Sequence, residues 1–365
     1  MIENAEAHAH NDSSGVRLDH VGDRGLGAAS PHARPYALIV RATERCNVGC
    51  SHCSIKATPR GRDLDTDTLA DVLRDAKRAG VGLVHFSGGE PLLHPELEAQ
   101  IEVATSIGFY VEMTTSTFTR AEDRPETRLA DMKAAGLQRV MLSYDASHAR
   151  RVPVSHYARY LREAQRLDLE VCACVVEWPG TEWPVARVIE ACAEADCDVE
   201  LVDWCRVERS SVGRATEEVA SAPNLEARCP YVLTAPTLAP DGAVLLCPNV
   251  VSDSPLFHLG SVRDRPLDAI LRDLESSRFY RSLAAHGPGS LLAEVQPDAA
   301  RSCGDMCVAC QLLLRACEDE ATKAQVEAFA PAADAVILVD VDALLPGHRR
   351  FVLGEERPST GCHCG

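Results

Sequence analysis

The chain has 365 residues, 46% of them apolar, and carries 54 acidic against 37 basic residues for a formal charge of −17. That length suits one large domain or two ordinary ones, with apolar residue enough for a substantial core. The acidic balance lacks the basic footprint of a nucleic-acid binder, and no run of about eighteen apolar residues offers a membrane span.

Residues 1–35 are rich in His, Asp, Ala and Gly and contain no apolar signal core. They read as a mobile leader of a cytoplasmic protein. From residue 36 short apolar runs alternate with helical patterns. Strands are predicted at 36–42, 81–86, 109–115, 139–144, 170–176 and 199–206, and helices at 67–79, 95–107, 126–135, 156–167 and 184–195. Leu69, Val72, Leu73 and Ala76 share one face of the first helix; Leu97, Ile101, Ala104 and Ile107 share one face of the second. Six strands with intervening helices imply an α/β fold with a parallel sheet and right-handed crossovers. Residues 216–224 read as a linker. Beyond it, Val232–Leu233 and Val244–Leu245–Leu246 flank an Asp241–Gly242 turn, the pattern of a β-hairpin, and a helix is predicted at 266–274. The segment 318–365 is less regular and ends in Cys362–His363–Cys364–Gly365.

Sixteen cysteines are many for a chain with no secretory signal. Disulfides do not suit a reducing compartment. Cys172, Cys174, Cys192 and Cys197 read as small core residues. Cys46, Cys50 and Cys53 do not. Their C-x3-C-x2-C spacing directly follows the first strand, and Ser87–Gly88–Gly89–Glu90–Pro91 follows the second. Three clustered cysteines with His52 could bind zinc, but His52 adjoins Cys53, which makes joint ligation awkward. A zinc knuckle also gives the Gly-Gly-Glu-Pro turn no role. Thiolate ligands equally suit an iron–sulfur cluster.

Together these motifs resemble the radical S-adenosylmethionine (SAM) superfamily. The resemblance implies a partial (β/α)6 TIM-like barrel over 36–215, with its active site at the C-terminal strand ends. It implies a 4Fe-4S cluster on Cys46, Cys50 and Cys53, with SAM on the iron that no cysteine holds. Gly88, Gly89, Glu90 and Pro91 would contact the methionyl group. Thr115, Ser143 and Glu177, at later strand ends, would contact the rest of the cofactor. His52 takes the position usually given to an aromatic side chain near the adenine. Asp145 and His148, after the fourth strand, are candidates to bind or deprotonate substrate, and Cys205, at the sixth strand end, to return a hydrogen atom.

The cysteines from 229 onward resemble the SPASM and twitch extensions, which place auxiliary 4Fe-4S clusters beside the barrel mouth. Cys229, Cys247, Cys307 and Cys310 match a one-cluster pattern. Cys303 and Cys317 are further candidate ligands, and with Cys362 and Cys364 they leave room for a second auxiliary cluster. The auxiliary unit is expected over 216–317. The polar Asp145 and His148 suit a small hydroxylated metabolite undergoing dehydrogenation or epimerisation, as in the aminocyclitol and aminoglycoside branch. The alternatives are modification of a peptide or protein and sulfur insertion from an auxiliary cluster. A low-potential electron donor such as flavodoxin or ferredoxin is implied as partner, with neither nucleic acid nor membrane.

Overall fold

The computed structural model describes residues 36–50, 53, 55–118, 124–177, 187, 190, 191, 199–203, 228–248, 252–303 and 306–332, and all that follows concerns these. The expected leader, the linker, His52, Cys205 and the Cys362–Cys364 tail lie outside them. So does the predicted helix at 184–195, except Arg187, Glu190 and Ala191, which are helical.

Six parallel strands form the barrel wall: β1 (Ala37–Thr43), β2 (Leu83–Gly88), β3 (Tyr110–Thr115), β4 (Arg139–Tyr144), β5 (Glu170–Glu177) and β6 (Val199–Asp203). Each sits within a few residues of its predicted position. The first four connections contain α1 (Thr66–Arg78), α2 (Leu97–Ile107), α3 (Pro125–Ala134), α4 (Ala146–Ala149) and α5 (Val154–Arg166). The Asp65 carboxylate caps α1 by accepting from the Thr68 amide at 2.8 Å. Leu69, Val72, Leu73 and Ala76 of α1 then pack with Leu38, Val40 and Ala42 of β1 in the main core. On β1 the alternate residues Ile39 and Arg41 face the lumen, as the period of two requires.

The lumen is polar near its floor. His85 Nδ1 lies 2.6 Å from Glu112 Oε1, and Glu112 Oε2 lies 3.6 Å from Arg139 Nη1. All three side chains are buried. Burying charge is costly unless it is paired, and here the pairing crosses three neighbouring strands.

The C-terminal region continues the same sheet. β7 (Thr237–Leu238) pairs in parallel with the free edge of β1, β8 (Ala243–Leu245) turns back on β7, and β9 (His258–Ser261) completes the order β6-β5-β4-β3-β2-β1-β7-β8-β9. The predicted hairpin therefore exists with a corrected first arm. Val232 and Leu233 lie in a turn, where Leu233 has φ 69°, and Thr237–Leu238 take the strand position. The helix predicted at 266–274 is α6 (Leu267–Ser276). Its first amide donates to Asp75 Oδ2 of α1 at 3.0 Å, docking the region on the barrel. Further helices follow: α7 (Arg278–His286), α8 (Pro288–Val295), α9 (Pro297–Arg301), α10 (Met306–Ala316) and α11 (Glu320–Ala328). One continuous apolar core runs through both halves.

Candidate active site

The cysteine loop is anchored where β1 ends. Thr43 Oγ1 donates to Asp63 Oδ1 at 2.6 Å and accepts from the Arg45 amide at 2.9 Å. The Arg45 guanidinium meets the same carboxylate at 2.7 Å and donates to the Leu93 carbonyl at 2.6 Å. The Cys46 amide donates to the Thr58 carbonyl at 2.9 Å. Cys46, Cys50 and Cys53 are thus half-buried free thiols on one braced loop. Burial pushes the Cys50 thiol up, and the charges of Asp145, Cys46 and Cys53 push it the same way. Burial likewise raises Cys46. Thiols that resist ionising beside one another suit a positively charged group that takes them all as thiolates, and three sulfurs fit the chemistry of an iron–sulfur cluster.

The Gly-Gly-Glu-Pro turn is zipped against this loop. The Gly89 amide donates to the Thr43 carbonyl and the Glu90 amide to the Arg45 carbonyl, both at 2.7 Å. A Cβ on Gly88 would lie 2.3 Å from the Thr43 oxygen, and one on Gly89 would lie 2.1 Å from the Arg45 oxygen. The glycines therefore first permit close passage of two chain segments, one of which leads directly into Cys46. Glu90 is buried at 1% exposure. Its carboxylate accepts from Thr115 Oγ1 at 2.6 Å, the Ser116 amide at 2.9 Å, the Leu92 amide at 3.1 Å and the Ser116 hydroxyl. Burial holds its carboxyl above the usual range, against the pull of those hydrogen bonds. Glu90 and Thr115 are thus brought together, and Pro91 opens a short 3-10 turn behind them. Ser143 lies near the C-terminal end of β4, half-buried. Glu177 ends β5 in register with Asp203 of β6.

Asp145 is fully buried and caps α4. Its Oδ1 accepts from the Ser147 amide at 2.5 Å and the His148 amide at 3.0 Å, while Oδ2 lies 2.9 Å from His148 Nδ1. His148 Nε2 in turn lies 3.8 Å from Cys50 Sγ. Among the described residues, Cys50, Asp145 and His148 bring ligand atoms within 4.8 Å of one another. The pair predicted to face substrate thus turns toward the cysteine loop.

The second cysteine group lies in the C-terminal region. Cys310, on α10, is pushed well up by burial and then by the charges of Cys229 and Cys247, which lie within electrostatic reach of it. Cys307 is half-buried one helical turn before Cys310. Cys303 is buried just before α10. Burial raises the buried Cys317 thiol to about 11, with Glu327, Lys323 and Asp319 as its charged surroundings. Sequence reasoning passed over Arg41 and the His85–Glu112–Arg139 set. The signal available was a charged residue on the alternate, lumen-facing positions of otherwise apolar strands.

Residues 40–199 match the Radical SAM superfamily. The PqqA peptide cyclase of Rhodopseudomonas palustris is 32% identical over 200 residues, covering 49% of this chain and 50% of that protein. The PqqA peptide cyclase of Gluconobacter oxydans is 35% identical over 112 residues, 30% of each chain. This chain therefore spans half or less of the length of these curated relatives. The crystal structure of Streptococcus suis SuiB bound to S-adenosylmethionine superposes with a TM-score of 0.57 at 12% identity, over 82% of this chain and 77% of that one. SuiB bound to the precursor peptide SuiA gives 0.53 at 11% identity, over 70% and 68%. At such identities the likeness is one of fold, consistent with a SPASM-type auxiliary region after the barrel. The expectation of a small polar metabolite as partner is overturned by these relatives, two of them peptide cyclases and one solved with a precursor peptide. Among the described residues no helix is long and apolar enough to cross a membrane. The barrel fold and the braced cysteine loop with its Gly-Gly-Glu-Pro turn lie within the stretch, residues 40–199, that is similar to the Radical SAM superfamily.

Proposed function

We propose that the protein cleaves S-adenosylmethionine and uses the resulting radical to modify a peptide or protein. The observation that carries the chemistry is the loop of Cys46, Cys50 and Cys53 locked backbone to backbone against Gly89 and Glu90. The peptide class rests on the relatives. When bound, a 4Fe-4S cluster at these cysteines supplies the electron that splits S-adenosylmethionine into methionine and a 5′-deoxyadenosyl radical, which takes a hydrogen atom from the substrate.

The chain's own residues do the rest. Cys46, Cys50 and Cys53 would hold that cluster through their thiolates. The turn at Gly88–Pro91 and the strand-end residues Thr115, Ser143 and Glu177 receive the cofactor's polar groups. Glu90 acts mainly as a brace, because four donors already occupy its carboxylate. Cys229, Cys247 and Cys310, joined by Cys307, would hold an auxiliary 4Fe-4S cluster. Cys317, set among charged residues of α11 and its start, is a spare thiol.

The test is anaerobic reconstitution with iron and sulfide, followed by reductant and S-adenosylmethionine. Formation of 5′-deoxyadenosine supports the chemistry, and none from a fully loaded protein sinks it. For substrate class, short peptides encoded beside its gene are co-expressed and weighed. Loss of hydrogen from one peptide, dependent on Cys46, supports the reading. Label passing into 5′-deoxyadenosine from a deuterated small metabolite, and from no peptide, overturns it.

A further inference from the structure

Arg41 lies on the lumen face of β1 and is only 6% exposed. Its Nη2 donates to the Pro248 carbonyl at 3.1 Å, the residue directly after Cys247. Among the described residues no carboxylate comes within ion-pair distance of its guanidinium. The anionic groups that act on it most are Cys247, Glu44, Cys53 and Asp241, in that order, and together they oppose the burial that would otherwise weaken its charge. One of those cysteines belongs to the barrel loop and the other to the second cysteine group. A buried guanidinium whose one hydrogen bond among the described residues goes to a carbonyl is expensive unless negative charge lies near. Cys247 and Cys53, one from each cysteine group, are with the carboxylates of Glu44 and Asp241 the charges that offset it, and arginine remains cationic at any working pH.

We propose that Arg41 is a positioning residue for the auxiliary centre: it seats the Cys247 end of β8 against the barrel and lends a fixed positive charge that raises that centre's reduction potential. Outer-shell hydrogen bonds and local charge are the levers by which proteins set such potentials. The side chain reaches from the first β-strand of the barrel to the residue after an auxiliary cysteine, so one cation serves both redox sites. This rests on the reading of Cys229, Cys247 and Cys310 as cluster ligands.

The test uses the full chain, reconstituted anaerobically, with iron counting and a redox titration followed by electron paramagnetic resonance. Arg41→Gln keeps an amide donor for Pro248 but removes the charge; Arg41→Lys keeps the charge but loses the fork. The expected result is an auxiliary midpoint shifted to more negative potential in Arg41→Gln, and restored most of the way in Arg41→Lys. Equal midpoints in wild type and Arg41→Gln, both with full iron, overturn the inference while leaving the auxiliary cluster standing. Wild-type protein that holds iron at the first site alone overturns the auxiliary cluster itself, and this role for Arg41 with it.

Discussion

Replacing Glu90 by alanine tests whether this residue braces the site. The carboxylate accepts four hydrogen bonds and is 1% exposed. Its removal orphans the backbone amides of Leu92 and Ser116, which cannot turn to other acceptors; the Thr115 and Ser116 hydroxyls can rotate. An orphaned buried donor costs about 1–3 kcal/mol, so the two amides set about 2–6 kcal/mol. Removing a buried carboxylate recovers part of its desolvation, which brings the expected loss to about 2–4 kcal/mol. Glu90→Gln keeps the shape and one oxygen, and leaves one nitrogen facing a donor, for about 1–2 kcal/mol. The assay is urea unfolding followed by far-ultraviolet circular dichroism, with the midpoint and slope compared across the three proteins. An alanine variant within about 0.5 kcal/mol of wild type would refute the bracing argument, since that is the scatter of ordinary surface changes. So would a glutamine variant less stable than the alanine one. The pH dependence supplies an independent sign. Burial raises the folded-state carboxyl above its unfolded value. Its favourable contribution is therefore complete below the ordinary value of about 4.3 and declines as pH rises toward the raised value. Wild type should lose stability relative to Glu90→Gln over that window; the opposite slope would show a carboxyl lowered by its hydrogen bonds.

Cys46→Ala should abolish 5′-deoxyadenosine formation, read by chromatography, with iron falling by about four per chain. Cys247→Ala should take iron from about eight to about four per chain, while keeping cleavage of S-adenosylmethionine and losing product formation. Gly89→Ala forces a methyl onto the Arg45 carbonyl, whose oxygen lies 2.1 Å from the Cβ position. It should destabilise by at least about 2 kcal/mol, measured by urea unfolding, and should reduce cluster loading at the cysteine loop.

The barrel was legible because its strands are buried on both faces and bounded by helical patterns. The run Leu38–Val40 and the segment Val140–Leu142 have few competing readings. The cysteine loop was legible for another reason: its spacing is local. The joining of the two halves was not. β7 is two residues long, and its partner, β1, lies nearly two hundred residues earlier. A strand that short carries no periodicity, and its pairing is a tertiary event. The same limit hid the partners of Glu90. Gly-Gly-Glu-Pro is visible as a turn, but Thr115 and Ser116 meet it only once β2 and β3 lie in register. Asp145 and His148 were visible as polar residues, and their direction was not. The α4 cap spends one carboxylate oxygen on backbone, which aims the other at His148.

The order of the sheet has one more consequence. A partial barrel leaves its first strand with an unpaired edge, and here β7 covers part of it. Exposed strand edges invite pairing with other chains. The cysteine-bearing hairpin thus shields the barrel from self-association as well as supplying thiols. A barrel cut free of that hairpin would bare the backbone of β1 at Ile39 and Val40, and its failure in solution would begin as clumping at the strand that leads into the cysteine loop.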